Sequence, residues 1–231
     1  MTSKFMFIRS AVTTLFVIFV LLTEMVSVAH ASSDNEAALL KGYIEKNTSF
    51  LVARLNEERG GYAANPEHFY NEMDKALNEV VDFRRIAAKV MGKYARQASK
   101  EQRSTFLDAF KRSLYVAYSR ALVDSGEFSI SVLGAEINPR SDDRASVELE
   151  VTTASGNRYP VVYSMYRKDG LPWLIENVIV QGVNIGLVFR DRFEQEVRTN
   201  KGDLNKVISG WSSQLDNVDQ LKTTQKSEDV E

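Results

Sequence analysis

The chain has 231 residues, of which 44% are hydrophobic and 26% charged, and its formal net charge is −2. This length and hydrophobic content suffice for one globular domain with a sizeable core. Because the chain contains no cysteine, its composition excludes thiol catalysis, iron–sulfur ligation and cysteine zinc sites.

The first 31 residues have the pattern of a secretory signal peptide. Lys4 and Arg9 form a basic start, residues 11–22 form an apolar run, and Ala29-His30-Ala31 is a small-residue cleavage pattern. The apolar run is shorter than the ~20 residues that a membrane-spanning helix needs. The pattern therefore favours cleavage before Ser32 and export over the alternative, a retained membrane anchor.

The first half of the mature chain has apolar residues at helical spacing. The pattern predicts one helix over residues 34–59, closed by Gly60-Gly61, and a second over residues 66–81, opened by Asn65-Pro66. The apolar stripes consist of Leu40, Tyr43, Ile44, Leu51 and Leu55 in the first helix and of Phe69, Met73, Leu77 and Val80 in the second.

Residues 82–122 predict a short helix that ends at a glycine, followed by a longer amphipathic helix. Ser99 and Gln102 form a capping box at the start of the longer helix. Its apolar face contains Phe106, Phe110, Leu114 and Ala121. We expect this helix to end near residues 124–126.

The period of the apolar residues then changes from about 3.6 to 2, which is typical of half-buried strands. Four strands follow, joined by short links such as Ser155-Gly156-Asn157 and Lys168-Asp169-Gly170. Consecutive strands with short links predict an antiparallel meander with one apolar face. Glu148 and Glu150 alternate with the apolar residues and are predicted to lie on the opposite face.

Two further helices should cover the apolar face together with the earlier ones. One is predicted over residues 184–198, and Asp203 caps another that contains Leu204, Ile208, Trp211 and Leu215. Residues 217–231 have little to bury and are predicted to be a disordered tail. The predicted fold is α+β, a single domain over residues 32–216 with helices on one face of a four-stranded antiparallel sheet.

Catalytic chemistry has few candidate residues. His68 is the only imidazole left after removal of the signal peptide, so a Ser-His-Asp triad would require it. It follows Asn65-Pro66-Glu67, the pattern of a helix cap and first turn, which predicts a surface position. We expect no catalytic residue and no metal site. A carboxylate-dependent enzyme is an open alternative and would need two inward-facing acids in one cleft.

Positive charge is concentrated in residues 82–120, which contain ten Lys and Arg against three Asp and Glu. Such a segment suggests docking to an acidic partner or an anionic surface. The alternative is a solvated helix face that nearby acids balance in the fold. Nucleic acid is not expected, because there is no continuous basic strip with interleaved exposed aromatics.

Several short sequence blocks occur in a characteristic order. The first half contains MGKY (91–94), QASKEQR (97–103) and FLDAF (106–110). The second half contains YPVVY (159–163), Trp173, VIVQGVN (178–184) and FRDRF (189–193). Over residues 36–215, this succession resembles the MlaC family of periplasmic phospholipid-binding proteins, also called the toluene-tolerance family.

The chain departs from that family's pattern around one strand-to-helix junction. Asn177 replaces the usual Asp, Gln181 the usual Glu, and Asn184 the usual Ser. Any role that the family gives to the two acidic side chains is therefore not carried over to this chain.

The resemblance implies a periplasmic carrier that shields the acyl chains of a phospholipid in an apolar pocket between helices and sheet. It also implies transient contact with an inner-membrane MCE-domain transporter complex and an outer-membrane lipoprotein complex, between which lipid is shuttled. Phospholipid would be the cargo; we expect no cofactor, and a monomer. The basic segment and the junction at Gly182 are the candidate docking or mouth regions.

Residues on the predicted apolar faces are the candidates for lining the pocket. They are Phe106, Phe110, Leu114, Phe128, Ile130, Val132, Val147, Leu149, Val151, Val161, Tyr163, Met165, Trp173, Ile179, Phe189 and Phe193. Each has ordinary core packing as its alternative, because periodicity predicts burial and not what fills the space. With all of them in a filled core, the chain would be an exported interaction module without ligand. Arg190 is the candidate for contact with the lipid phosphate at the rim.

Overall fold

The structure is a computed structural model that describes residues 34–168 and 170–211. Within these residues, six α-helices and an antiparallel sheet form the fold, which confirms the predicted α+β class. The predicted signal peptide, Leu215 and the predicted tail over residues 217–231 lie outside the described residues. Asp169 of the predicted turn does so as well.

Four helices precede the sheet. Helix α1 covers residues 34–58 and continues into a 3-10 turn, Arg59–Gly61. Helices α2 (Pro66–Asn78), α3 (Phe83–Met91) and α4 (Lys100–Asp124) follow, with a 3-10 helix, Gly92–Arg96, between the last two.

Side-chain caps fix the starts of these helices. Asn65 Oδ1 accepts a hydrogen bond from the His68 N–H at 3.1 Å, which confirms the predicted cap of α2. The capping box of α4 is also confirmed: Ser99 Oγ accepts from the Gln102 N–H at 3.1 Å, and Gln102 Oε1 accepts from the Ser99 N–H at 2.9 Å. These bonds satisfy amide groups that have no partner within the helix.

Helix α2 ends three residues earlier than predicted, at Asn78. The next residues run beside the sheet: the Ile175 N–H donates to the Val80 carbonyl at 2.8 Å, and the Asp82 N–H donates to the Ile175 carbonyl at 3.1 Å. This competing backbone pairing ends the helix, and a sequence pattern of apolar spacing does not reveal it.

The sheet has five strands, not the four predicted. They are β1 (Phe128–Ile137), β2 (Arg144–Thr153), β3 (Arg158–Tyr166), β4 (Leu174–Val180) and β5 (Val183–Asn184), each antiparallel to the next in chain order. Strand β5 turns back on β4 through Gln181 and Gly182, whose φ angles are 50° and 81°. Two residues are too few to show a strand period, so the sequence pattern did not predict it.

Strand β4 contains a bulge. Met165 pairs with Ile175, whereas the preceding residue of β3, Ser164, pairs with Asn177, so Glu176 is the extra residue. An extra residue exchanges the two faces for all residues beyond it. Val178 and Val180 therefore face the helices.

Helices α5 (Ile185–Thr199) and α6 (Leu204–Gly210) complete the fold. Asn184 Oδ1 accepts from the Leu187 N–H at 3.1 Å, and Asp203 Oδ1 accepts from the Asn205 and Lys206 N–H groups at 3.1 and 3.2 Å. The predicted cap of α6 is confirmed.

The buried side chains form three clusters. The first, the helical cluster, contains residues of α3, α4, α5 and α6 and centres on Phe106, Phe193 and Trp211. The second, the sheet cluster, packs α1 residues Leu40 and Ile44 on β1 to β4. The third is smaller and joins Leu55 of α1 with Phe69, Tyr70 and Met73 of α2 and Tyr115 of α4. The space between the three clusters is not filled.

Candidate ligand-binding cavity

An apolar cavity of about 480 Å³ lies between the helices and the sheet. Its volume is within the range of about 300–1,000 Å³ that is typical of small-molecule sites. The lining residues are Ile44, Asn47, Thr48, Leu51, Phe69, Met73, Leu77, Val80, Val81, Phe83, Ile86, Phe110, Leu114, Tyr115, Tyr118, Ser119, Leu122, Ile130, Val161, Tyr163, Ile175, Asn177, Val178, Val180, Ile185, Gly186 and Phe189. None of these side chains has a formal charge at neutral pH.

Regular spacing brings the lining residues to one side of each element. In α1, Ile44, Thr48 and Leu51 are four and three residues apart and so share one helix face. In β3, Val161 and Tyr163 are two residues apart and share one sheet face. The cavity is therefore built from the same periodic faces that would otherwise form a closed core.

A few polar groups interrupt the apolar wall. The Tyr115 hydroxyl donates to Asp74 Oδ1 at 2.7 Å, and burial together with this carboxylate raises the pKa of Tyr115. Burial also raises the pKa of Tyr163. Asn177 Oδ1 accepts a hydrogen bond from the Gly186 N–H at 3.1 Å. The neutral forms of both phenols are thus favoured, and the wall stays uncharged.

The structure brings six of the predicted lining residues to the cavity wall. They are Phe110, Leu114, Ile130, Val161, Tyr163 and Phe189. Three of them come from the sheet, two from α4 and one from α5. Their contact with a lipid stays a prediction.

Seven further predicted residues lie in the closed core. Phe106 and Phe193 belong to the helical cluster. Val132, Val147, Leu149, Met165 and Trp173 belong to the sheet cluster. These residues are packed as ordinary core, the alternative to lining a pocket, because neighbouring side chains rather than open space surround them.

The last three predicted residues lie elsewhere. Ile179 pairs with Val162, which lies on the sheet face opposite to Val161 and Tyr163, so Ile179 does not face the cavity. The bulge at Glu176 is the reason, since it reverses the alternation that the sequence predicted for β4. Phe128 and Val151 line a separate apolar groove next to the cavity.

Helices α1 and α2 contribute lining residues that the sequence analysis did not assign to the pocket. Ile44, Leu51, Phe69, Met73 and Leu77 were predicted as apolar stripes of covering helices, so their burial had a signal. No sequence signal showed that these residues lie beside open space, because that depends on the distance between the helices and the sheet.

Arg190 lies in a polar depression that adjoins the cavity. The depression is lined by Lys89, Ser164, Glu176, Asn184 and Arg190 among others, and it shares Ile86, Asn177 and Gly186 with the cavity. The Arg190 side chain is half exposed, and its Nε lies 3.8 Å from Asp191 Oδ1. Arg190 thus lies beside the cavity, and its contact with a lipid phosphate at the rim stays a prediction.

Glu176 is the buried charge beside this depression. It accepts from Arg144 Nη1 at 2.7 Å, forms an ion pair with Lys89 Nζ at 2.9 Å, and accepts from Arg85 Nε. Burial acts to raise its pKa, but the hydrogen bonds and charges of Lys89 and Arg85 outweigh burial, so that the pKa of Glu176 is lowered. The carboxylate ties α3 to β2 and β4.

Acids balance much of the basic segment. Six of its ten Lys and Arg form ion pairs with carboxylates: Arg85 and Lys89 with Glu176, Lys93 with Glu194, Lys111 with Asp74, Arg112 with Glu67, and Arg120 with Asp124. This favours the solvated, balanced face over a docking surface for most of the segment. Arg84, Arg96 and Lys100 are exposed and form no ion pair with the described residues.

His68 lies on the surface, as predicted, with a 58% exposed side chain whose Nε2 is 3.2 Å from Glu58 Oε2. Glu148 is exposed, on the sheet face that points away from the cavity. In residues 34–168 and 170–211, no group of three or more His, Cys, Asp or Glu is placed to hold a metal ion. No helix in this part of the chain is long and apolar enough to cross a membrane.

Comparison with known proteins gives matches of three kinds. The family model "MlaC protein" matches residues 45–213. The toluene tolerance protein Ttg2D of Pseudomonas putida is 38% identical over 175 residues, which are 74% of this chain and 79% of that protein. A phospholipid-binding protein from Ralstonia solanacearum, solved in complex with a phospholipid, has a TM-score of 0.66 at 18% identity, covering 76% of this chain and 97% of its own.

Proposed function

Because this chain belongs to the MlaC protein family, we propose that it is a periplasmic carrier of phospholipid. In this proposal the acyl chains of the cargo lie in the apolar cavity, and the carrier shuttles lipid between outer- and inner-membrane complexes. The predicted signal peptide over residues 1–31 supports the periplasmic location. The fold shared with the phospholipid-binding protein from Ralstonia solanacearum is consistent with the same role.

The observation that carries the proposal is the uncharged cavity between the two layers. An interaction module with a filled core, the main alternative, would place packed side chains there. A carboxylate-dependent enzyme would need two acids facing one cleft, whereas Glu148 lies on the far side of the sheet. A carrier requires no catalytic residue, and we propose none.

Energetics favour a shielded route for the cargo. Exposing a methylene to water costs about 0.8 kcal/mol, so the two chains of a phospholipid with about thirty methylenes would cost on the order of 20 kcal/mol. Transfer from a bilayer into an apolar cavity replaces hydrocarbon with hydrocarbon and is nearly neutral. The carrier therefore needs docking to its donor and acceptor rather than an energy source of its own.

The polar depression is the proposed site of the headgroup. Arg190 and Lys89 line it, and it meets the cavity at Ile86, Asn177 and Gly186. A phosphate there would accept charge-assisted hydrogen bonds from Arg190 while the acyl chains stay in the cavity. Since Glu176 already pairs with Lys89, Arg190 is the stronger candidate.

The docking partners are proposed from the family alone. They are an inner-membrane MCE-domain transporter complex and an outer-membrane lipoprotein complex. On the surface of this chain, the exposed cations Arg84, Arg96 and Lys100 are the part of the basic segment that is available to an acidic partner.

The test is lipid analysis of the purified mature protein. Native mass spectrometry, and organic extraction followed by lipid mass spectrometry, should show stoichiometric phospholipid. The variant Leu114→Trp places a large side chain in the cavity and should reduce the bound lipid several-fold. The matched control is Val116→Trp on the exposed side of the same helix, where the residue is 37% exposed. A wild-type protein that stays empty after mixing with lipid vesicles would overturn the proposal.

A further inference from the structure

A second apolar groove of about 410 Å³ opens beside the cavity. It is lined by Tyr118 and Leu122 of α4, by Ser125 of the turn that follows α4, and by Phe128, Val151 and Thr153 of β1 and β2. Phe128 and Val151 were predicted to line the pocket, but the groove that contains them is separate from the cavity of the proposed function.

The groove is continuous with the cavity. Tyr118 and Leu122 line both spaces. Across the sheet, Val151 of the groove is the direct cross-strand partner of Ile130 of the cavity. Directly paired residues point to the same face of a sheet, so an apolar strip runs without interruption from one space to the other.

The groove and the polar depression lie on opposite sides of the cavity. The groove lies over β1 and β2, at one edge of the sheet. The depression lies beside β4, β5 and the start of α5, at the other edge. The site as a whole therefore has charged side chains on one side and only uncharged ones on the other, as a phospholipid has its charge at the headgroup and none at the chain end.

The junction between groove and cavity leaves apolar surface uncovered. Tyr118 and Leu122 are 39% and 41% exposed. Burying such surface against hydrocarbon stabilises a complex in proportion to the area removed from water. An apolar chain that enters from the cavity would cover both side chains.

We propose that this groove, lined by Tyr118, Leu122, Ser125, Phe128, Val151 and Thr153, holds the distal end of a long acyl chain. The cargo would then be a phospholipid with long chains, whose ester end lies in the cavity and whose chain ends extend over β1 and β2. This inference rests on the proposed function. It adds a subsite that selects cargo by chain length.

The test compares two synthetic lipids that share a headgroup and carry short or long acyl chains. Wild-type protein and the variant Val151→Trp, which fills the groove, are freed of lipid and mixed with vesicles of dilauroyl or dioleoyl phosphatidylglycerol. Native mass spectrometry measures the bound fraction. The variant should bind dioleoyl lipid about tenfold more weakly than wild type and should bind dilauroyl lipid unchanged.

Two further variants keep the test decisive. Thr153→Trp fills the groove at its outer end, and it replaces Val151→Trp if that variant does not fold. Thr152→Trp is the matched control, because Thr152 lies on the opposite face of the same strand, paired with the exposed Ser129. It should bind both lipids as wild type does.

The outcomes separate the inference from the function. Groove-filling variants that bind both lipids like wild type, or that lose both equally, would overturn the inference and leave the carrier function standing. A wild-type protein that binds neither lipid would overturn the carrier function, and the inference with it.

Discussion

The side chain of Asn177 lies directly against the backbone of Gly186. Asn177 Oδ1 accepts a hydrogen bond from the Gly186 N–H at 3.1 Å, and a Cβ atom added to Gly186 would overlap that same oxygen. The contact joins β4 to the first turn of α5, at the point where the cavity meets the polar depression. The glycine is needed for close approach rather than for an unusual φ angle.

Gly186→Ala should therefore destabilise the protein by ~1–3 kcal/mol, the usual cost of overpacking a close contact. The free energy of unfolding from urea titration measures it. Gly42→Ala is the matched control: Gly42 lies in α1 with nothing within 4 Å of an added Cβ, and alanine there should stabilise the protein by about 0.5–1 kcal/mol. If Asn177→Ser added to Gly186→Ala restored none of the loss, the overlap would not be its cause.

Glu176→Gln should destabilise the protein by ~3 kcal/mol at neutral pH, because it removes the charge that pairs with Lys89, Arg85 and Arg144 inside the fold. Urea titration of wild type and variant measures the difference. Glu148→Gln on the exposed sheet face serves as control and should change little.

The stability difference between wild type and Glu176→Gln should depend on pH. The folded-state pKa of Glu176 is lowered from its ordinary 4.5, so the stabilisation by its charge is fully present above that pH. This stabilisation is lost as the pH falls from 4.5, the ordinary pKa, to below the lowered pKa of the folded state. At that lower pH both the unfolded and the folded protein bind the proton. The difference in the free energy of unfolding between wild type and Glu176→Gln should decrease over this acidic range. A gap that stays constant would contradict the assignment.

Ser99→Ala should destabilise the protein by about 1 kcal/mol, since it leaves an amide group at the start of α4 without its partner. Thermal unfolding followed by circular dichroism measures the change. Ser104→Ala, at an exposed interior position of the same helix, should be neutral or slightly stabilising, because alanine is the better helix former. Equal losses in the two variants would argue against the cap.

His68→Ala should leave both stability and lipid content unchanged, within about 0.5 kcal/mol for stability. The side chain is exposed, and its Nε2 lies 3.2 Å from Oε2 of Glu58. Native mass spectrometry of the variant checks the bound lipid. A loss of cargo on this substitution would reopen a functional role for the imidazole.

Local signals made much of the fold predictable. The caps at Asn65, Ser99 and Asp203 lie where their side chains can reach amide groups two or three residues further on, and such spacing is visible in the sequence. The alternation of apolar and polar residues in β1, β2 and β3 was also visible in the sequence, because successive side chains of a strand point to opposite faces. The fifth strand and the bulge at Glu176 depend on pairing between strands, for which one chain carries no local signal.

The cavity was harder to predict than the core. Phe106 and Phe110 are one turn apart on the same face of α4, yet Phe106 packs among Phe193 and Trp211 while Phe110 also lines the cavity. The sequence pattern gives both residues the same burial. Which of them faces open space depends on where α1 and α2 lie, so six predicted lining residues reach the cavity and others fill the core.

Helix α1 is held at its two ends by different clusters. Leu40 and Ile44 pack on the sheet, and Leu55 packs against α2 and α4, whereas Thr48 and Leu51 between them face the cavity. Both ends of α1 thus pack against other elements, whereas its middle borders the open space of the cavity. Acyl chains held in the cavity would therefore contact the middle of α1. The hydrocarbon of a bound lipid would supply the missing support.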